Sequence, residues 1–337
     1  MGLKDKLNTR EYNFLNEGKL KNNIILLTTG GSHAYGTNIE TENHVSDFDV
    51  RGIYLNSPKE ILTMKCANKP FTHNETDTVI YPLKQMIELL SNVNPNTIEI
   101  LGTKEEHLFI LTEEGKILRD NSDIFLSQKA AHGFGGYAIA QLRRLQNALA
   151  RDSYPQNEKE IHILQSIQRH MRSFEETYQP ICDEQLKLYI DKSNKENYET
   201  EIFVDINMNK YPLRDFKAML NEMNNIVKDY SKLNHRNSKK DELHLNKHAM
   251  HLVRLFLMGT EILEGKGINT YRENDKGFLL DIRNGKYTYE QIFECVDELQ
   301  ERFRYAEKNS PLPKKPNQDD IDDLVVEINK KLLSRRG

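Results

Sequence analysis

Residues 24–54 read IILLTTGGSHAYGTNIETENHVSDFDVRGIY, and the fold turns on this stretch. The apolar run Ile24–Leu27 has the length of a buried strand. It breaks at Gly30-Gly31-Ser32, and after a polar loop the chain reaches Ser46-Asp47-Phe48-Asp49-Val50-Arg51-Gly52. There Asp47, Asp49 and Arg51 alternate with Phe48 and Val50. As a strand, that period of two puts both carboxylates on one face and the apolar pair in the core. Acids two residues apart on a strand sit roughly 6–7 Å apart at Cα. From there they can converge on divalent cations roughly 3.5–4 Å apart, the arrangement that serves in-line displacement at phosphorus.

The glycines ahead of the acids suit the same chemistry. Without a Cβ, backbone amides approach a phosphate closely, and the Ser32 hydroxyl adds a donor. Alone, a Gly-Gly-Ser turn is most often only a turn, and alternating acids often mark a solvated strand face. In this order and spacing the two reinforce each other. The stretch is not a Walker A loop or a dinucleotide fingerprint, and it lacks the Gly and terminal Glu of an EF-hand.

Composition bounds the remaining classes. The chain has 337 residues, room for two domains, and its 29% charged and 37% hydrophobic content is that of a globular protein. Cys66, Cys182 and Cys295 are far apart, which indicates neither a disulfide framework nor a thiolate zinc site. No secretory signal or run of eighteen apolar residues is present, so a cytoplasmic location away from membranes is expected. A net charge of −4 argues against non-specific DNA coating while leaving room for a local basic groove.

Outward from the central stretch, residues 4–18 pattern as a short helix ending near Gly18. Ile61–Met64 and Thr76–Tyr81 pattern as strands. Leu83–Leu90 reads as a helix stopped before Asn94-Pro95-Asn96, with further helices from near Thr97 and over Glu113–Arg119. Beyond residue 120 helical periodicity dominates. Tyr137, Ile139, Ala140, Leu142, Leu145 and Leu149 form one run, and 158–180 continues as a polar helix. Ile202–Ile206 is one short strand, and Pro212 opens a helix to about Tyr230. Leu245–Leu263, Glu290–Ala306 and the tail after 317 complete the helices. The expected fold is α+β, a short mixed sheet followed by a mainly helical half. Its partition is 1–120, 121–310 and a linker with C-terminal helix at 311–337.

Gly31-Ser32-His33-Ala34-Tyr35-Gly36 followed by Ser46-Asp47-Phe48-Asp49-Val50-Arg51-Gly52 closely resembles the motif of nucleotidyltransferases of the DNA polymerase beta superfamily. More narrowly it resembles a bacterial and phage group that includes polymerase-beta-type proteins associated with RNA repair. The similarity extends through Tyr81-Pro82-Leu83-Lys84, through Asn94-Pro95-Asn96 with Glu99, through Asn246–Arg254 and through Leu279-Leu280-Asp281-Ile282-Arg283-Asn284-Gly285. Fourteen residues separate Ser32 from Asp47, so the loop Thr37–Val45 departs from the pattern by a small insertion.

The resemblance implies a polymerase-beta-like core and a third carboxylate on a neighbouring strand, Asp77, with Glu75 as the fallback. It implies transfer of a nucleotide from a nucleoside triphosphate, with ATP among the candidates, to an acceptor hydroxyl. Asp47, Asp49 and Asp77 would hold two Mg²⁺ ions, with Mn²⁺ an alternative, and Gly31 and Ser32 would bind the β and γ phosphates. Arg51 neutralises the leaving group or salt-bridges Asp49; His33 contacts a phosphate or simply packs. Lys247, His251 and Arg254 share a helical stripe, either a solvated face or a basic wall to the nucleotide cleft. A zinc site at His244, His248 and His251 would need a fourth partner that the sequence does not offer. Arg143-Arg144 and Arg236–Lys240 are candidate nucleic-acid contacts. An RNA or tRNA end is the favoured acceptor. A protein hydroxyl, a small molecule, or a catalytically silent nucleotide- or nucleic-acid-binding module are the competing readings.

Overall fold

A computed structural model describes residues 3–41, 44–66, 68–153, 186–192, 200–206, 242–335 and scattered positions from 212 to 227. Contacts divide the chain into two compact units. Met1–Leu142 joins Asn246–Gly337 in the first, and Arg143–Leu245 forms the second. The late helices therefore belong to the same unit as the sheet.

The fold is α+β, as expected. In the first unit β1 (Ile24–Thr29) is buried along its whole length. A small hairpin of β2 (Glu40–Thr41) and β3 (His44–Val45) follows, then β4 (Val50–Tyr54), β5 (Phe71–His73), β6 (Thr78–Pro82) and β7 (Leu108–Leu111). The main sheet runs in the order β5-β6-β4-β1-β7. β4 and β6 are parallel and every other pairing in it is antiparallel. Continuous burial of Ile24–Thr29 follows from cover on both faces. Tyr12, Leu15 and Leu20 pack with Ile24, Leu27, Val50, Tyr54 and Ile80 on one side. The helices Leu83–Leu90 and Glu113–Asp120 contact the sheet as well. Glycine permits the closest approach: a Cβ at Gly115 would lie 2.1 Å from the Ile25 carbonyl oxygen.

Three local expectations are corrected. Residues 4–18 are not one helix but a single turn, Leu3–Lys6, and a 3-10 segment, Arg10–Asn16. The Thr9 hydroxyl takes up the Lys6 carbonyl between them. Ile61–Met64 is not a strand; Pro58–Leu62 is a helix. Its Ser57 and Glu60 form a reciprocal capping box with Pro58 at the first helical position, and these local bonds outweigh the strand preference of one isoleucine. Thr76 and Asp77 lie outside β6. Thr76 ends a 3-10 turn, and Asp77 adopts the left-handed region at φ 43°.

Elsewhere the predicted helices stand. Leu83–Leu90, Pro95–Leu101, Glu113–Asp120, Tyr289–Lys308 and Gln318–Arg335 are helical. The helix Glu242–Leu263 is followed by left-handed Gly265 and Gly267. A further helix, Lys276–Arg283, went unrecognised. In the second unit β8 (Leu186–Lys192) pairs antiparallel with β9 (Thr200–Ile206), the predicted strand. The predicted helix at 158–180 and the basic run Arg236–Lys240 lie outside the described residues, and of 212–230 the described positions 216–221, 223, 224 and 227 are helical. Among the described residues no helix is long and apolar enough to cross a membrane.

The Gly115 contact yields a paired stability test. Gly115→Ala should destabilise the protein by about 1–3 kcal/mol by driving a methyl into the β1 backbone. Gly277→Ala, whose added Cβ meets nothing within 4 Å in the helix Lys276–Arg283, should be neutral or stabilising by about 0.5–1 kcal/mol. Urea midpoints compare the two; equal shifts would contradict the packing described.

Candidate active site

The site is assembled where β1 ends and β4 and β6 begin. After Thr29 the chain turns at Gly30 and Gly31 into one and a half turns of helix, Gly31–Tyr35, closed by left-handed Gly36. The Gly30 amide donates to the Asp49 carbonyl at 2.9 Å, and the Val50 amide donates to the Asp77 carbonyl at 3.2 Å. These two bonds set three chain segments side by side. The bend presses so closely on the acids that a Cβ on Gly31 would lie 1.8 Å from Asp49 Oδ2. Gly31 also has φ +56°, so both space and backbone demand glycine there. The Ser32 hydroxyl has no partner among the described residues.

Asp47 and Asp49 were expected within a strand. Instead β4 starts at Val50, and residues 46–49 lead into it without ladder pairing. Phe48 nevertheless turns inward, its ring 6.0 Å from Phe109 and 5.8 Å from His33. Asp49 is largely shielded, its side chain 16% exposed, with Oδ1 3.6 Å from Arg51 Nη2. Asp77 is reached by the same nitrogen at 3.4 Å, and Arg51 also donates to the Asp77 carbonyl. Asp77, rather than Glu75, is therefore the acid that meets Asp49. Its strand parity played no part: the left-handed turn delivers it, a conformation aspartate tolerates. Asp47 is the outlier, 78% exposed and 3.8 Å from Lys247 Nζ.

Burial, then the hydrogen bond with Asp77, pushes the Asp49 carboxyl from its ordinary 3.8 up to about 7. Asp77 moves down, chiefly through that same bond from Asp49 and further through Arg51. The pair thus shares one proton at mildly acidic pH and is short of positive charge when ionised, even with Arg51 and Lys247 nearby. Hard oxygen donors short of positive charge fit a divalent cation such as Mg²⁺. Among the described residues no three His, Cys, Asp or Glu side chains already stand gathered as a metal cage; the donors brought into contact are Asp49 and Asp77.

The helical stripe divides. Lys247 reaches the acids, but Arg254 is 1% exposed and pairs with Glu99 at 3.3 Å. Its guanidinium stacks 3.6 Å from the Tyr35 ring centre, and Tyr35 donates to Glu99 at 2.6 Å. His251 Nδ1 accepts from Arg254 at 2.9 Å, and burial holds it well below the ordinary histidine range. Burial of that helix on most of its circumference removes His251 and Arg254 from the expected basic wall. His33 abuts Phe48 and bonds to the Ser46 main chain, its Nε2 is buried without a hydrogen-bond partner among the described residues, and burial keeps it below the ordinary range. The sequence reading gave no role to Tyr35, Glu99, Ser46 or Arg283, although all four lie in motifs that it quoted.

A family model described as RlaP, RNA repair pathway DNA polymerase beta family, matches residues 9–327. No curated protein and no solved structure matches the chain.

The Asp49 shift predicts a pH signature in metal-free protein. A carboxyl whose folded value is raised contributes stability fully below about pH 3.8 that is lost as pH climbs to about 7, at up to about 1.4 kcal/mol per pH unit. Asp77, shifted down, acts below that window. In chelator, wild-type Tm should therefore fall between pH 4.5 and 7 more steeply than that of Asp49→Asn, which should be the more stable protein at about pH 8. Parallel Tm curves would show that Asp49 titrates normally.

Proposed function

The chain belongs to the RNA repair pathway DNA polymerase beta family, a nucleotidyltransferase-type family, and on that footing we propose that it transfers a nucleoside monophosphate from a triphosphate to an acceptor hydroxyl with release of pyrophosphate. The observation that carries this reading is the meeting of Asp49 and Asp77 against a bend that only glycine can form. A shielded carboxylate beside an open one, set against a glycine bend, suits a nucleotide triphosphate and its cation.

In this reading Asp49 and Asp77, together with Asp47, would hold Mg²⁺, with Mn²⁺ an alternative. The ion, when bound, offsets charge on the phosphoryl oxygens and makes the acceptor hydroxyl more acidic. The Gly31 and Ser32 amides and the Ser32 hydroxyl grip the β and γ phosphates. Arg51, lodged between the acids, orients Asp77 and offsets charge on the pyrophosphate. Lys247, 52% exposed, exchanges its contact with Asp47 for one with the triphosphate. Asp77, exposed at 58% where Asp49 is shielded, faces the approach of the acceptor. The family's link to RNA repair favours an RNA end as that acceptor.

Incubating the protein with each α-labelled nucleoside triphosphate, Mg²⁺ or Mn²⁺, and either RNA or cell lysate tests the proposal. Label should enter RNA. Label in protein or in a small molecule would replace the acceptor while keeping the chemistry, and nucleotide binding without transfer would reduce the chain to a binding module. Asp49→Asn and Asp77→Asn should each lower transfer at least about 10²–10³-fold, some 3–4 kcal/mol of transition-state stabilisation. Near wild-type transfer by Asp49→Asn would refute the assignment.

A further inference from the structure

Arg283 closes the helix Lys276–Arg283 and is 3% exposed. A guanidinium taken out of water ordinarily faces a carboxylate. Among the described residues none lies within ion-pair distance of it. One Nη donates to the Thr37 carbonyl instead, and the other donates to the Ser46 hydroxyl at 3.0 Å. Those two acceptors are the ends of a single excursion. Thr37 follows Gly36, which closes the helix of the glycine bend, and Ser46 directly precedes Asp47.

The excursion is a hairpin, β2 against β3, with Glu40 opposite Val45 and Thr41 opposite His44. Its neck is drawn shut at Ile39 and Ser46. The Ser46 amide donates to the Ile39 carbonyl at 2.9 Å, and the Ile39 amide donates to the Ser46 hydroxyl at 2.8 Å. His33 adds a bond to the Ser46 main chain. Ser46, 6% exposed, is thus held by Ile39 twice, by Arg283 and by His33. Asp47, one residue on, is 78% exposed and makes its closest charged contact only at 3.8 Å. Among the described residues the Asp47 carboxyl has that one ion pair and the attraction of the Arg283 charge, whereas Ser46 before it is held by directed hydrogen bonds.

We infer that Arg283 is a positioning residue: forked across Thr37 and Ser46, it locks the neck of the hairpin and sets the direction in which Asp47 leaves the chain. This inference rests on the reading of Asp47 as an acid of the transfer site. The fork is the essential property. Arginine presents two parallel donors in one plane on separate nitrogens, whereas lysine carries its three donors on one nitrogen, which must itself lie within about 3 Å of both acceptors. A charge alone would not tie both ends of the hairpin. A spacer merely filling the interior would not need two donors.

The test uses the full chain carrying Arg283→Lys, Ser46→Ala or Ser46→Thr. In metal-free protein, hydrogen exchange of the amides at 37–49 should accelerate about ten-fold in Arg283→Lys and Ser46→Ala while β1 and the body of β4 keep their protection. Mn²⁺ affinity, read by electron paramagnetic resonance without nucleotide, should weaken about ten-fold in the same two variants. In nucleotide transfer, kcat should fall about ten-fold with KM for the triphosphate little changed, and Ser46→Thr, which keeps the hydroxyl, should recover most of the loss. Undisturbed exchange at 37–49 overturns the brace. So does a loosened hairpin with unchanged Mn²⁺ affinity and kcat. If wild-type protein transfers no nucleotide at all, the functional reading fails while the exchange and Mn²⁺ measurements still judge the brace. Should Arg283→Lys not fold, Ser46→Ala carries the same outcomes.

Discussion

Two main-chain hydrogen bonds underlie the rest of the site: Gly30 to Asp49 and Val50 to Asp77. They fasten the end of one strand to the beginnings of two others, so that carboxylates 28 positions apart in the chain come to share a proton. Because the fastening is made by backbone groups, it does not depend on side-chain rotamers. Substitution of the acids therefore changes the chemistry of the junction and not its geometry. The cost appears at Gly31, where the surroundings leave no room for a Cβ.

A second constraint holds the helices to this junction. Tyr35, at the end of the short helix after the bend, meets Glu99 and Arg254 in a buried cluster. Burying an ion pair is weak evidence for stability, since desolvation offsets much of the attraction. Its geometric demand is strict, however. Glu99 must satisfy a hydroxyl and a guanidinium at once, while the guanidinium lies flat on the same tyrosine's ring. That requirement fixes the helix Glu242–Leu263 relative to the bend and so determines where Lys247 stands. The basic stripe read from the sequence is thus divided by depth: its outer end is electrostatic and its inner end is architectural.

Much of this was legible in the residues themselves. The buried strand at Ile24, the bend at Gly30-Gly31 and the later helix after Leu245 followed from apolar runs, glycine and helical periodicity. What failed did so for identifiable reasons. Ser57-Pro58-Lys59-Glu60 carried a capping signal that was passed over in favour of the apolar residues beside it. Asp77 was assigned by strand parity, yet a left-handed turn positions it, and parity says nothing outside a strand. Arg254 looked like surface because spacing along a helix cannot tell an arginine facing water from one facing a buried glutamate 155 residues earlier. Arg283 lacked any local signal; its partners lie 237 and 246 positions away.

Those separations bear on how the molecule comes into being. The sheet-bearing unit is made of two stretches, Met1–Leu142 and Asn246–Gly337, with 143–245 between them. During synthesis the strands leave the ribosome first and must wait for about a hundred residues of another unit before the helices that complete their core emerge. At about 5–20 residues per second that delay lasts about 5–20 seconds, ample time for local hairpins and helices to form. A nascent chain in that interval already holds Leu83–Leu90 and Glu113–Asp120 against its strands but lacks the helix Gln318–Arg335 that packs on Glu113–Asp120. The outer face of Glu113–Asp120 therefore waits on the last residues to be made.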